Sequence, residues 1–202
     1  METGPVAIPV GVDVALFTIF ALHHSLFARA GLKARVRRSF SPELERSLYV
    51  WVASAIFIAI CWWWQPVPGV AYRLGVPWRW AGVAAQAAGV LMTLLGSKAL
   101  DVLDLAGVRA VLRSEGGTAP AHVPLVTTGV YGIVRHPLYF GWVLIVFGAP
   151  DMTATRLTFA IISTVYLALA IPWEERGLIE TFGEDYRQYR KARRWRMIPG
   201  IY

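Results

Sequence analysis

The chain has 202 residues, 56% of them hydrophobic and 16% charged, well short of the roughly 25% charged residues of an ordinary soluble domain. With a mean hydropathy of +0.48, these values argue against a water-soluble globule and suit one polytopic membrane domain over residues 1–202. The formal net charge is +7, but the basic residues flank apolar stretches instead of forming one solvated face, which favours lipid headgroups over nucleic acid.

Residues 1–11 lack a basic n-region, and no small-residue cleavage site follows the first apolar stretch, so no cleavable signal peptide is expected. A helix needs about 20 apolar residues to cross a bilayer, and residues 8–27, 48–64 and 80–100 qualify. His23-His24-Ser25, near the end of the first stretch, read as packed, hydrogen-bonded histidines, with a ligand set or proton relay as the alternative. Cys61 is the single cysteine, which excludes an intramolecular disulfide and a Cys-based zinc site. It lies in a Trp-rich apolar run and reads as a packing residue. Trp62, Trp63 and Trp64, with Trp78 and Trp80, bracket the next loop as an aromatic interface belt. Asp101, Asp104 and Arg109 fall in a short connector whose acids can pair with nearby arginines.

The apolar block 137–172 is broken at Ala149-Pro150-Asp151. Pro150 ends one helix, and Asp151 or Thr153 can cap the next. The result is a helical hairpin and about five spans in all, an all-α membrane bundle. Its first arm, 138–149, reaches only roughly 18 Å, which sinks His136 below the membrane surface. The tail, with Leu178, Ile179, Phe182, Tyr186, Tyr189 and the cations from Arg187 to Arg196, reads as one amphipathic interfacial helix. Of the 20 Lys and Arg residues, only Arg73, Arg79 and Arg156 fall on the opposite side from the rest, which places the N-terminus outside and the C-terminus in the cytoplasm.

The hairpin carries the chemistry at its ends. Arg135 and His136 precede Pro137, a favoured first helical residue, where free N–H groups make a polar-ligand site; a cap with a snorkelling arginine is the plainer reading. Glu174 and Glu175 follow Pro172-Trp173. They would be disfavoured at a helix C-terminus but favoured if the helix restarts after Pro172. Folding the hairpin brings both groups to one membrane face, and ionisable groups at such depth have partners. There is no HExxH, GxSxG, P-loop or GxGxxG, and no metal is expected.

Gly129-Val130-Tyr131, Arg135-His136-Pro137, Tyr139 and Gly141, then Glu174-Glu175-Arg176, Phe182-Gly183, Tyr186, Tyr189 and Ile198-Pro199 resemble the isoprenylcysteine carboxyl methyltransferase superfamily, concentrated in region 125–200. His24-Ser25 with Ala28-Arg29, Glu45-Arg46-Ser47-Leu48-Tyr49-Val50, Trp64-Gln65-Pro66, Asp104-Leu105 with Gly107, and Pro150-Asp151-Met152-Thr153 are more similar to its methanethiol S-methyltransferase-like branch. The resemblance implies an integral-membrane methyltransferase using S-adenosylmethionine, in the cytoplasmic membrane if prokaryotic, with its active site at the cytosolic rim. It implies that Tyr131, Arg135, His136, Pro137, Tyr139, Gly141, Glu174, Glu175 and Tyr186 hold the cofactor beneath a C-terminal lid, and that Glu175, Tyr139 and Arg194 are catalytic. The stretch from Tyr189 to Pro199 is slightly longer than the usual pattern, so the late arginine falls on Arg193, Arg194 or Arg196, with Arg194 as the candidate. The extra N-terminal span that some members carry is not expected within these residues. A small or lipophilic thiol is the implied acceptor, with an isoprenylcysteine-type carboxylate or a phospholipid headgroup as the alternative. A non-catalytic heme- or ligand-binding membrane protein using His23, His24 and His136 is the rival from another class.

Overall fold

The computed structural model describes residues 6–27, 42–98 and 124–202. The expectations for Ala28-Arg29, for the connector from Asp101 to Arg109, and for the side chains of His24, Glu45 and Arg46 lie outside the described positions. The chain forms two compact units, Met1–Val67 with Leu100–Pro120 and Pro68–Ala99 with Ala121–Tyr202.

In the first unit, α1 (Ala7–Phe27) packs on α2 (Pro42–Trp63). Their contacts run in opposite directions along the two helices. Asp13 accepts the Gln65 backbone N–H at 2.8 Å, the Phe20 and Phe57 rings meet at 5.8 Å, and His23 stacks on Tyr49 at 5.8 Å. Both ring nitrogens of His23 are buried without a hydrogen-bond partner among the described residues, so His23 is packed as expected but not hydrogen-bonded. Cys61 corrects another expectation, because it is exposed. Ile60 takes the inward position at 3% exposure, and the helical turn carries the next residue outward. Trp62 and Trp63 are likewise exposed, as side chains in an interfacial belt would be.

The second unit contains β1 (Val70–Arg73), α3 (Trp78–Ser97), a 3₁₀ turn at Gly129–Gly132, α4 (Pro137–Phe147), β2 (Asp151–Thr153), α5 (Ala154–Phe182) and α6 (Glu184–Ala192). Helices α1, α3 and α5 are long and apolar enough to cross a membrane, whereas Leu48–Trp63 and α4 are shorter apolar stretches. The hairpin of α4 and α5 turns where the sequence places it. Pro150 stops the first arm, and the Thr153 hydroxyl caps α5 by accepting the Arg156 N–H at 3.2 Å. The short antiparallel pair of β1 and β2 was not anticipated. It ties the turn to the loop before α3, with Leu74 N–H on the Pro150 carbonyl at 2.9 Å and Ala154 N–H on the Gly69 carbonyl at 3.0 Å.

Glycines hold α3 and α4 together. Gly82, Gly89 and Gly96, at heptad spacing, are the buried residues of α3. A Cβ on Gly82 would lie 2.7 Å from the Gly148 carbonyl, and one on Gly89 2.6 Å from the Gly141 carbonyl. Within lipid, where apolar side chains gain nothing by leaving their surroundings, such close backbone approach is a main source of helix association.

The most consequential departure concerns α5. It does not end or restart at Pro172 but runs through it for 29 residues, about 43 Å against a hydrocarbon core of about 30 Å. Proline's missing N–H leaves the carbonyl four residues earlier without its helical partner. That carbonyl, of Ala168, accepts the Tyr202 hydroxyl at 3.2 Å instead. The tail is also divided: α5 ends at Phe182, Gly183 turns the chain with φ 59° and ψ −125°, and α6 ends at Ala192. Arg193, Arg194 and Arg196 therefore lie beyond the helix. Leu178 and Ile179 belong to α5, so the single tail helix expected from the sequence is two helices and an extended segment.

Candidate active site

Arg135 and His136 lie in the extended stretch that enters α4. The Arg135 N–H donates to the Trp195 carbonyl at 3.0 Å, and the His136 N–H donates to the Arg196 carbonyl at 2.8 Å. The segment after α6 is thus fastened to them by two consecutive backbone hydrogen bonds. Pro137 occupies the first turn of α4, and the N–H groups of Tyr139 and Phe140 both turn back to the His136 carbonyl at 3.1 Å.

The side chains meet α5. Arg135, 5% exposed, places Nε and Nη2 each 2.7 Å from Oε1 of Glu175, which is 3% exposed. Its Nη1 donates to the carbonyls of Arg193 at 2.6 Å and Arg194 at 3.1 Å. The His136 ring lies between the two acids, with Nδ1 3.3 Å from Glu174 Oε2 and Nε2 3.4 Å from Glu175 Oε1. Tyr139, one turn on, stacks against His136 at 5.4 Å and donates its hydroxyl to Glu174 Oε2 at 2.8 Å. Adjacent residues on a helix point about 100° apart. Because the pair sits inside a continuous α5, one acid engages Tyr139 while its neighbour engages Arg135, and His136 bridges both.

Tyr186 and Tyr189, the buried residues of α6, close the cluster from the tail. Tyr189 donates to the Tyr131 carbonyl at 2.8 Å, and the Tyr131 hydroxyl donates to the Gly96 carbonyl at 3.2 Å. The Tyr186 hydroxyl and His136 Nε2 are both buried with no hydrogen-bond partner among the described residues, although Nε2 remains within ion-pair distance of Glu175.

Electrostatics sort these groups. Burial alone would lower the His136 pKa, but the negative charge of the Glu174 and Glu175 carboxylates beside the ring outweighs it and raises the value above the ordinary 6.5. Burial pushes up Tyr131 and Tyr186 and holds Tyr189 near 12, so all three remain neutral hydroxyls at pH 7. With His136 protonated, two cations face two carboxylates; with His136 neutral, one net negative charge is left.

Arg135, His136, Tyr139, Glu174 and Glu175 are thus in mutual contact, and Tyr186 lies close enough for its titration to respond to Glu175 and Arg135. Two candidates point elsewhere. Gly141 faces α3, where a Cβ would fall 2.5 Å from Thr93 Oγ1, so close helix packing accounts for it. Arg194 is exposed with its guanidinium 5.9 Å from its neighbour Trp195, and only its backbone carbonyl touches the cluster. Arg196 is the tail arginine whose side chain approaches, with Nε 4.0 Å from Glu175 Oε2. Its Nη1 donates to Tyr202 at 2.8 Å. The sequence could not separate three neighbouring arginines, because their directions depend on how the segment after Ala192 pairs with Arg135.

The isoprenylcysteine carboxyl methyltransferase family model matches residues 117–180. The chain is 33% identical over 180 residues to methanethiol S-methyltransferase 2 of Bradyrhizobium diazoefficiens, covering 89% of this chain and 70% of that protein. It is 34% identical over 194 residues to the methanethiol S-methyltransferase of Mycobacterium tuberculosis, covering 92% and 78%. It is also 30% identical over 169 residues to Nurim of Xenopus laevis, covering 79% and 59%. No solved structure matches. Joined to a helical membrane architecture with an Arg-His-Pro segment closed on a Glu-Glu pair, these likenesses show that the chain belongs to the isoprenylcysteine carboxyl methyltransferase family, among its methanethiol S-methyltransferase-like members.

Proposed function

We propose that residues 1–202 act as one domain that transfers a methyl group from S-adenosylmethionine to a small or lipophilic thiol at the cytosolic rim of the membrane. The observation that carries this reading is the meeting of buried Arg135, His136 and Glu175 with Tyr139 and the more open Glu174. The group fits the cofactor, because His136 Nε2 and the Tyr186 hydroxyl are buried without hydrogen-bond partners and the acids offer a negative field to a cation. Glu174, 43% exposed, is the carboxylate open to the donor's polar groups, with Tyr139, Tyr186 and His136 beside it. When bound, S-adenosylmethionine supplies a methyl group on a cationic sulfur.

Arg135 locks Glu175 in place, so Glu175 orients His136 instead of competing for the ligand. In its neutral form His136 takes the acceptor thiol's proton on Nε2, the ring nitrogen without a hydrogen-bond partner among the described residues. Its raised pKa narrows the gap to a thiol near 8.5, and the two carboxylates stabilise the imidazolium that results. The thiolate then forms the new carbon–sulfur bond as the donor's carbon–sulfur bond breaks. Opposite charges cancel in that step, which a water-poor site favours. Incubating membranes with labelled S-adenosylmethionine and a panel of thiols, prenylcysteines and phospholipids tests the acceptor; label in the carboxylate or the lipid but in no thiol would reverse the assignment. The proposed five crossings would put tags at the two termini on opposite faces, and a reporter placing both in one compartment would contradict that topology.

A further inference from the structure

The tail carries a second concentration of charge outside the carboxylate cluster. A depression of about 500 Å³ is lined by Arg190, Lys191, Arg194 and Arg196 together with Trp195, Ile201 and Tyr202, whose main-chain oxygen is held by the Met197 and Ile198 N–H groups, and no Asp or Glu is among its lining groups. Arg135 also reaches it, but Glu175 already neutralises that charge and lies 4.0 Å from Arg196. Arg190, Lys191 and Arg194 have no carboxylate at ion-pair distance among the described residues; of the two acids of α6, Glu184 and Asp185, Glu184 pairs with Arg187. Cations crowded this way repel one another unless an anion enters.

We infer that this depression binds the phosphate of an anionic phospholipid headgroup. Its apolar groups select the lipid over a free anion. Ile201 is 78% exposed, and Trp195 shares the same depression, a pairing of aromatic and aliphatic surface with cations that belongs at a headgroup layer. The place in the chain agrees, since α6 begins just two residues after the membrane-length α5 ends. Clustered basic residues immediately beyond a membrane helix are a usual mark of anionic-lipid binding. A lipid seated here also steadies the segment whose carbonyls hold Arg135 and His136, which couples the buried cluster to membrane composition. The site does not depend on the methyl-transfer reading.

The test uses the full chain in a neutral detergent and follows thermal unfolding against dihexanoylphosphatidylglycerol, dihexanoylphosphatidylcholine or inorganic phosphate. Phosphatidylglycerol should stabilise the protein saturably, less so at higher ionic strength, and well below the concentration at which phosphate acts; phosphatidylcholine should have no such effect. The double variant Arg190→Gln/Lys191→Gln should melt like the wild type without lipid and bind phosphatidylglycerol about 30-fold more weakly, roughly fivefold per cation removed. Should the double variant fold poorly, Lys191→Gln alone should weaken binding about fivefold. Unchanged affinity in these variants, no stabilisation of the wild type, or equal stabilisation by phosphate would overturn the proposal.

Discussion

Both units bury ionisable side chains, but they treat them differently. In the α1–α2 pair, Asp13 is fully buried, takes one backbone N–H through Oδ1 and leaves Oδ2 without a partner among the described residues. His23 stacks against Tyr49 and makes no hydrogen bond there. In the unit containing α4 and α5, Arg135, His136, Glu174 and Glu175 are joined to one another and to Tyr139, and Arg135 and His136 donate to four carbonyls of the tail. The contrast separates a clasp from the proposed reactive centre. Asp13 pins the chain after α2 to α1, whereas the Arg-His and Glu-Glu pairs form a network whose charge balance changes with one proton.

Breaking the network should cost most. Glu175→Ala leaves the Arg135 guanidinium buried without its counter-charge, a loss of about 3–5 kcal/mol, and should abolish methyl transfer. Glu174→Ala, at a half-open position, should also stop transfer with far less loss of stability. Thermal unfolding and turnover of the two variants check the pair, and equal destabilisation would remove the distinction drawn between the acids.

The clasp should be weaker. Asp13→Ala strands only the Gln65 N–H, about 1–3 kcal/mol, and should lower the melting temperature while leaving transfer per folded molecule near normal. Loss of turnover without loss of stability would place Asp13 in the chemistry and erase the contrast.

A smaller effect is expected where the tail supports α5. Tyr202→Phe removes the donor to the Ala168 carbonyl and the acceptor for Arg196, at about 1 kcal/mol. Hydrogen exchange around residues 168–172 should rise, and unaltered protection there would show that Pro172 needs no such support.

The smallest effect is the proton on His136. Its folded pKa is raised above 6.5, so its contribution to stability is complete below pH 6.5 and is lost as the pH climbs through the folded value. The stability advantage of wild type over His136→Gln should therefore shrink on going from below pH 6.5 to alkaline pH. Over the same range, loss of the proton leaves the cluster more negative, so a cationic sulfonium should gain affinity relative to neutral S-adenosylhomocysteine. Calorimetric titration of both ligands against pH checks this, and a constant ratio would mean that His136 does not titrate beside the ligand.

Much of the candidate site was legible because its parts are local signals. Pro137 after His136, Pro150 before Thr153, and Glu174 beside Glu175 mark helix ends and charge positions without reference to distant residues. The departures share one cause. The carbonyl freed by Pro172 finds its donor in Tyr202, Gly141 answers to Gly89 and Thr93 on another helix, and Arg196 reaches Glu175 where Arg194 does not because the tail pairs with the backbone of Arg135 and His136. The heptad spacing of Gly82, Gly89 and Gly96 was the one readable signal passed over.

By itself, then, the order of residues determined the helical membrane character, the hairpin and the residue types at its polar end, since hydropathy, proline and charge act within a few residues along the chain. Only the tertiary structure decided that α5 continues through its proline, which tail arginine meets the acids, and that both nitrogens of His136 face carboxylates. Those outcomes depend on hydrogen bonds between segments far apart in sequence, whose geometry exists only once the helices and the tail have closed on one another.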